Sequence, residues 1–135
     1  MADLSTFLAD GLRDLIFRTA AGAVKPTNLW VSLHTASPGL TGANEVAGGS
    51  YARVQSDPGD ARWTDDAAVG TTKNVSDLTY PAPTANWGSV THAGLWDAAS
   101  GGNFIGKAQL AVAKTVNNGD APFKFLAGNL TFVFV

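Results

Sequence analysis

The sequence predicts a mainly β fold, an antiparallel β-sandwich or barrel that carries one amino-terminal α-helix. Three features predict it: one segment with helical periodicity near the start, alternating apolar and polar residues later, and glycine- or proline-containing turns between the alternating segments. At 135 residues the chain has the length of one domain. We expect a single domain over residues 1–135, with a helical appendage at 1–22 and a β domain at 27–135.

The helical segment is predicted to span residues 5–20. Asp3 or Ser5 can cap its start, and Gly22 lies just past its expected end. Phe17 points away from the apolar face of this helix, so it is either an incidental exposed aromatic or a contact with a partner, where aromatics are enriched. The apolar face recurs at the helical period and consists of Leu4, Leu8, Leu12, Leu15, Ile16 and Thr19.

After Pro26 the period of the pattern changes to two. In residues 29–35 the apolar Leu29, Val31 and Leu33 alternate with Trp30, Ser32 and His34, which indicates a strand with an inward and an outward side. The final segment is so apolar that it should be buried or paired. Residues 57–66 are predicted to be a polar loop that Trp63 interrupts. Further short strands are predicted after the Gly48-Gly49 turn and over residues 75–80, 90–96, 104–110, 123–126 and 130–135.

Composition excludes several classes of protein. The chain has no cysteine, so it has neither disulfides nor thiolate sites. Its net charge is −2 and its nine basic residues are scattered, which argues against nucleic acid as a partner. No apolar run is long enough to span a membrane, and the first residues do not have the pattern of a signal peptide. Charged residues make up 15%, against roughly 25% in average domains, which suggests that other subunits cover part of the surface.

The stretch WDAASGGN at residues 96–103 could be a ligand cradle or a turn. It lies between two alternating segments, and Gly101-Gly102 suits hairpin positions that need positive φ. Asp97 can accept hydrogen bonds from nearby loop amides. A phosphate site would need a following helix, and a metal site would need more oxygen ligands at fixed spacing. The stretch is therefore predicted to be a hairpin turn.

The other polar residues give only weak indications of a catalytic or metal site. Ser32, His34 and Asp97 could form a Ser-His-Asp arrangement, but no nucleophile motif is present, and His34 with His92 does not specify zinc. The acids of residues 57–66 do not follow the spacing of a calcium loop, so a solvated loop is expected. A glycosidase needs paired carboxylates, but Glu45, the only glutamate, is better explained as a partner for Arg53. No catalytic residue, cofactor or metal is therefore predicted.

The tryptophans leave one further alternative open. Trp30, Trp63, Trp87 and Trp96 could form a platform on which sugars stack, although tryptophans within strands more often fill a core or an interface.

Five segments together resemble a family of small tailed-bacteriophage virion proteins, whose members are often labelled tail-fibre proteins. The resemblance covers nearly the whole chain, including the leading helix, and it implies a virion protein made in the cytoplasm of a bacterial host. The segments are LWVSLHTASPG at 29–39, NEVAGGSYAR at 44–53, ANWGSVTHAGLWDAASGG at 85–102, KTVNNGD at 114–120 and AGNLT at 127–131.

A fibre shaft needs a coiled coil or repeats, which this chain lacks. The resemblance and the compact architecture together imply a non-enzymatic capsid decoration, or cement, protein that contacts the major capsid protein and itself as a homotrimer. Multivalent contacts would then stabilise the shell. The alternative is a tail-associated or fibre-tip module that binds a host-surface glycan, and a hydrolase is a weaker third. The candidate contact residues are Phe17, Arg13, Trp30, Pro38, Tyr51 and Arg53.

Overall fold

The computed structural model describes residues 4–19 and 25–134, which form one helix and nine strands. All strand pairs in this part of the chain are antiparallel, so the predicted mainly β fold with an amino-terminal helix is confirmed. The elements are α1 (Thr6–Phe17), β1 (Trp30–His34), β2 (Val54–Gln55), β3 (Trp63–Asp65), β4 (Thr71–Asn74), β5 (Leu78–Thr79), β6 (Gly88–Trp96), β7 (Phe104–Val116), β8 (Lys124–Phe125) and β9 (Thr131–Val133).

The largest sheet has the strand order β2-β1-β6-β7. Strands β6 and β7 form a long hairpin, and β1 pairs with the other edge of β6 so that Val31 lies opposite Leu95. Side chains from this sheet and from two smaller sheets, β3-β4-β9 and β5-β8, pack into one hydrophobic core. Tyr80, Phe123 and Phe125 meet there in edge-to-face ring contacts, with centroids 5.0–6.2 Å apart.

The prediction for the middle of the chain was incomplete. Residues 57–66 were predicted to be a loop, but Trp63 begins strand β3, which pairs with β4. Strand β4 was missed because its sequence, TTKN, is polar and does not alternate. It also pairs with β9, so the prediction that the apolar final segment is paired is confirmed for Thr131–Val133.

Strand β1 has no outward side, contrary to the prediction. Ser32 and His34 were expected to face outward, yet both are fully buried, as are Val31 and Leu33. The second face is covered because Trp96 and Phe104 pack against it from the β6–β7 hairpin. Ser32 and His34 can be buried here because their side chains hydrogen-bond to each other.

The helix is shorter than predicted. It begins after Ser5, whose side chain accepts a hydrogen bond from the Leu8 amide at 3.1 Å, as the predicted cap requires. It ends at Phe17 rather than Ala20, because Arg18 adopts an extended backbone. The predicted end marker Gly22 lies outside the described residues.

Candidate functional site

Helix α1 presents its apolar face to solvent. No residue of the helix is buried, and only Leu8, in its first turn, packs against the core of the β domain. Exposure then rises along the helix, reaching 59% for Leu15, 69% for Ile16 and 79% for Phe17. The stripe therefore becomes exposed toward its end, at Leu15 and Ile16, and Phe17, which was predicted to point away from the stripe, follows them in the last turn. The last turn of the helix thus carries three apolar side chains that the described residues leave exposed.

The polar side of the helix is a solvent-exposed ion-pair cluster. Arg13 lies 2.8 Å from Asp10 and 2.9 Å from Asp14, and these carboxylates raise the pKa of its guanidinium, with the Asp14 hydrogen bond as the main cause. Exposed ion pairs of this kind contribute little to stability. Arg13 is therefore accessible to a partner.

The start of the helix adjoins the other predicted contact region, residues 38–53. The Thr6 amide donates a hydrogen bond to the Leu40 carbonyl at 3.1 Å. Pro38, however, is fully buried, and its carbonyl accepts from the amides of Gly42 and Ala43. A Cβ on Gly42 would lie 2.4 Å from the Trp96 ring, so the loop needs glycine to approach that side chain closely.

Arg53 connects three parts of the fold. Its guanidinium binds both carboxylate oxygens of Glu45 at 2.8 Å, as the sequence predicted for this pair. It also donates to the carbonyls of Ala98 at 2.8 Å and Gly101 at 2.9 Å, and it stacks 3.9 Å above the Trp96 ring. Its side chain is only 6% exposed. Arg53 thus ties the 45–53 segment to the β6–β7 loop, and its donors are engaged within the chain.

Tyr51 extends the same network. Its hydroxyl donates to Glu45 at 2.9 Å and accepts from the Leu33 amide at 3.0 Å, and burial raises its pKa far above the usual value. Burial also acts to raise the pKa of Glu45, but hydrogen bonds from Arg53 and Tyr51 outweigh it, and the pKa lies below its usual value. Glu45 therefore stays ionised as the charge partner of Arg53.

His34 is part of a buried hydrogen-bond chain. Its Nδ1 lies 2.7 Å from the Ala43 carbonyl and must donate to it, so the neutral ring accepts at Nε2 from Ser32, 2.7 Å away. The Ser32 hydroxyl in turn accepts from the Trp96 indole at 2.9 Å. Burial lowers the pKa of His34, which favours this neutral form. A Cβ on Gly94 would lie 2.5 Å from the Ser32 hydroxyl, so only glycine fits opposite the chain.

The hypothetical Ser-His-Asp arrangement is not assembled. Ser32 and His34 do meet, but the Ser32 hydroxyl is fully buried, and the other nitrogen of His34 binds a backbone carbonyl. Asp97 instead accepts from the Asn103 amide at 2.7 Å and from its side chain at 2.8 Å. This closes the WDAASGGN turn, in which Gly101 and Gly102 have φ of 60° and 76°, and confirms the hairpin prediction.

The acidic segment contains no cluster with metal-ligand geometry. Across the described residues no group of three or more histidine, aspartate or glutamate side chains could hold a metal ion. The four-tryptophan sugar platform is also not formed, because Trp87 and Trp96 are buried, the first against Tyr51 and the second against Phe104. Trp63 lines a cavity between the two larger sheets, and Trp96 lines a separate one beside the start of α1.

The six predicted contact residues divide into two groups. Phe17 and Arg13 are exposed on α1, whereas Pro38 and Arg53 are engaged within the β domain. The other two, Trp30 and Tyr51, are half-buried. Partner contact stays a prediction for all six. Sequence reasoning missed Leu15 and Ile16 as surface residues, since the apolar period that reveals the helix does not reveal whether the chain itself covers it.

A family model described as podophage GP4 fiber I protein gp80 matches residues 3–133. No curated protein is significantly similar to the chain. The described part of the chain has no helix long and apolar enough to cross a membrane.

Proposed function

The chain belongs to the podophage GP4 fiber I protein gp80 family of tailed-phage virion proteins, and from this we propose that it is a structural module of the fibre apparatus that attaches through helix α1. The observation that carries the proposal is the outward apolar face of that helix. Membership of the family places the protein in the virion, where neighbouring subunits are available to cover such a face.

The energetics of α1 favour a partner. A twelve-residue helix is marginal in water by itself, and this one is joined to the β domain mainly through its first turn. Leu15, Ile16 and Phe17 would each gain about 1.5–3 kcal/mol on full burial. Exposed Arg13 can add orientation through a carboxylate or carbonyl of the partner. The helix is therefore suited to docking on another virion subunit.

The proposal is tested by replacing Phe17 with serine and counting the chain in purified virions. Loss of about 2 kcal/mol would weaken a single contact about thirtyfold, so fewer copies per particle are expected. The copy number is measured by quantitative mass spectrometry, and circular dichroism checks that the variant melts as the wild type does. Val69→Ser is the matched control, because Val69 is 83% exposed but lies far along the chain, between β3 and β4.

An unchanged copy number for Phe17→Ser would contradict attachment through this face. So would an equal loss for Phe17→Ser and Val69→Ser, since that would indicate a general effect of removing apolar surface. Loss of the fold in Phe17→Ser would show that the side chain stabilises the domain rather than a contact.

Capsid decoration is the second candidate. It is favoured by the architecture, because the described residues form a compact β domain with no long helix from which to build a shaft. In this role a homotrimer would contact the major capsid protein, and several weak contacts would act together. The copy number of the wild-type chain separates the two roles. A ratio near that of the major shell protein would favour decoration, whereas a few copies per virion would favour the fibre apparatus.

A further inference from the structure

A cavity of about 310 Å³ lies between the sheets β2-β1-β6-β7 and β3-β4-β9. Its residues come from distant parts of the sequence, including the turn before β3, strand β4 and the segment around β9. Ligand pockets typically begin at about 300 Å³. The cavity is thus large enough for one small ring-shaped ligand, and it is separate from α1.

The floor and one wall of the cavity are apolar. Leu95 and Phe132 are buried core residues that form part of the floor. Half-buried Trp63 forms a wall and is held there by two contacts. Its indole N–H donates to the Ser56 carbonyl at 2.9 Å, and its ring packs edge-to-face on Phe132 with centroids 5.8 Å apart. An aromatic side chain fixed in this way presents a preformed apolar surface to a ligand.

Two carboxylates stand at the rim of this apolar cavity. Asp60 and Asp65 are exposed, and neither side chain makes a hydrogen bond or an ion pair with any other residue that the structure describes. This contrasts with Asp57 and Asp97, which bind backbone amides. No lysine, arginine or histidine is among the described residues that line the cavity. The rim therefore offers hydrogen-bond acceptors that the fold does not use.

We propose that this cavity binds a neutral saccharide unit, with one face of the sugar ring against Trp63 and its hydroxyls donating to Asp60 and Asp65. Sugars combine an apolar face of C–H groups with many hydroxyl donors, which matches an aromatic wall beside free carboxylates. Hydrogen bonds to charged acceptors are stronger than neutral ones. This goes beyond structural attachment, since it assigns the protein a ligand of its own.

The charge of the cavity selects among saccharides. Uronic and sialic acids would place a carboxylate beside Asp60 and Asp65 with no lining cation to offset the repulsion. A linear ammonium or guanidinium group would suit the carboxylates, but its narrow chain would leave much of the 310 Å³ unfilled. A neutral ring satisfies both the shape and the charge.

The test is an NMR titration of the full chain with glucose, galactose, mannose, rhamnose and N-acetylglucosamine, following the Trp63 indole N–H signal. At least one of these sugars is expected to shift the signal at millimolar concentration, whereas glucuronic and N-acetylneuraminic acids are not. Asp60→Asn and Asp65→Asn should each weaken binding about tenfold. The double variant should also admit glucuronic acid, because the repulsion is then removed.

The matched control is Asp10→Asn, which removes an exposed carboxylate on α1 and should leave binding unchanged. Phe17→Ser should also bind normally, so failure of this proposal and failure of attachment through α1 are separate results. The proposal is overturned if no neutral sugar shifts the signal, if acidic sugars bind equally well, or if Asp10→Asn weakens binding as Asp60→Asn does. The proposal would also be overturned if the cavity bound butylammonium in preference to sugars and salt abolished that binding. This result would identify a cation-binding site.

Discussion

Helix α1 and the segment that leads into β2 each contain an arginine that binds acceptors, but the two arginines have opposite surroundings. Arg53 is nearly enclosed and binds Glu45, two carbonyls and the face of Trp96. Arg13 is exposed, and among the described residues its guanidinium binds Asp10 and Asp14 of its own helix. The β domain therefore uses Arg53 to hold its own segments together, whereas the paired Arg13 stays open to solvent on a helix whose apolar side chains are also exposed.

The largest effect is expected for Arg53→Ala. This substitution leaves the partly buried Glu45 carboxylate without its cation, with Tyr51 as its remaining donor, and removes the Arg53 donor from two carbonyls, so it should lower the free energy of unfolding by about 3 kcal/mol. Urea unfolding followed by tryptophan fluorescence measures the change. Arg13→Ala is the matched control and should leave the unfolding curve nearly unchanged. Similar losses for both variants would remove the distinction between the two regions.

An intermediate loss of folding stability is expected when the pH is lowered, because of His34. Its folded-state pKa lies below the ordinary value of 6.5, because burial disfavours the charged ring. Below about pH 6.5 the His34 side chain of the unfolded chain therefore binds a proton, whereas that of the folded chain does not. The contribution of His34 to stability is complete above that pH and declines as the pH falls toward the folded-state pKa.

Melting temperatures between pH 7.5 and 5 test this prediction, since that window lies mostly above the titration of carboxylates. His34→Gln should flatten the decline whatever its stability at neutral pH. His92→Gln should flatten the decline less. Burial and the nearby charge of Lys107 also lower the pKa of His92, but its ring is less buried than that of His34. An identical decline in wild type and His34→Gln would show that other groups govern the acid response.

The smallest effect on folding is expected for Leu15→Ser. The side chain is 59% exposed, so its removal should change the free energy of unfolding by no more than about 0.5 kcal/mol. Urea unfolding again provides the measurement, and Leu33→Ser, in the buried strand β1, provides the contrast. A large loss for Leu15→Ser would mean that the whole of α1, and not only its first turn, belongs to the core.

Local features were predictable from sequence because short-range chemistry determines them. The WDAASGGN turn follows from two glycines that adopt positive φ and from an aspartate that accepts loop amides. The Ser5 cap and the Glu45–Arg53 pair likewise involve residues close together in the chain. The resemblance to phage virion proteins was confirmed by the family model that covers residues 3–133.

Features that depend on distant partners were not predictable. Strand β4 is polar, and only its pairing with β3 and β9 makes it a strand. Ser32 and His34 appeared to face outward because the alternating pattern does not show that Trp96 covers them. The cavity beside Trp63 needs Leu95 and Phe132, which lie far from it in sequence. Periodicity identifies which side of an element is apolar, but the partner that covers it is a property of the whole fold.

Buried Asn74 has a consequence for how the protein is made. Its side chain accepts from the Leu130 amide and donates to the carbonyls of Leu126 and Ser76, so it fastens β4 to a segment 56 residues later. The sheet β3-β4-β9 therefore cannot close on the ribosome until residues 130–133 have emerged. Strand edges of the nascent chain stay unpaired during that interval, and they are open to chaperones and proteases until translation has passed this point.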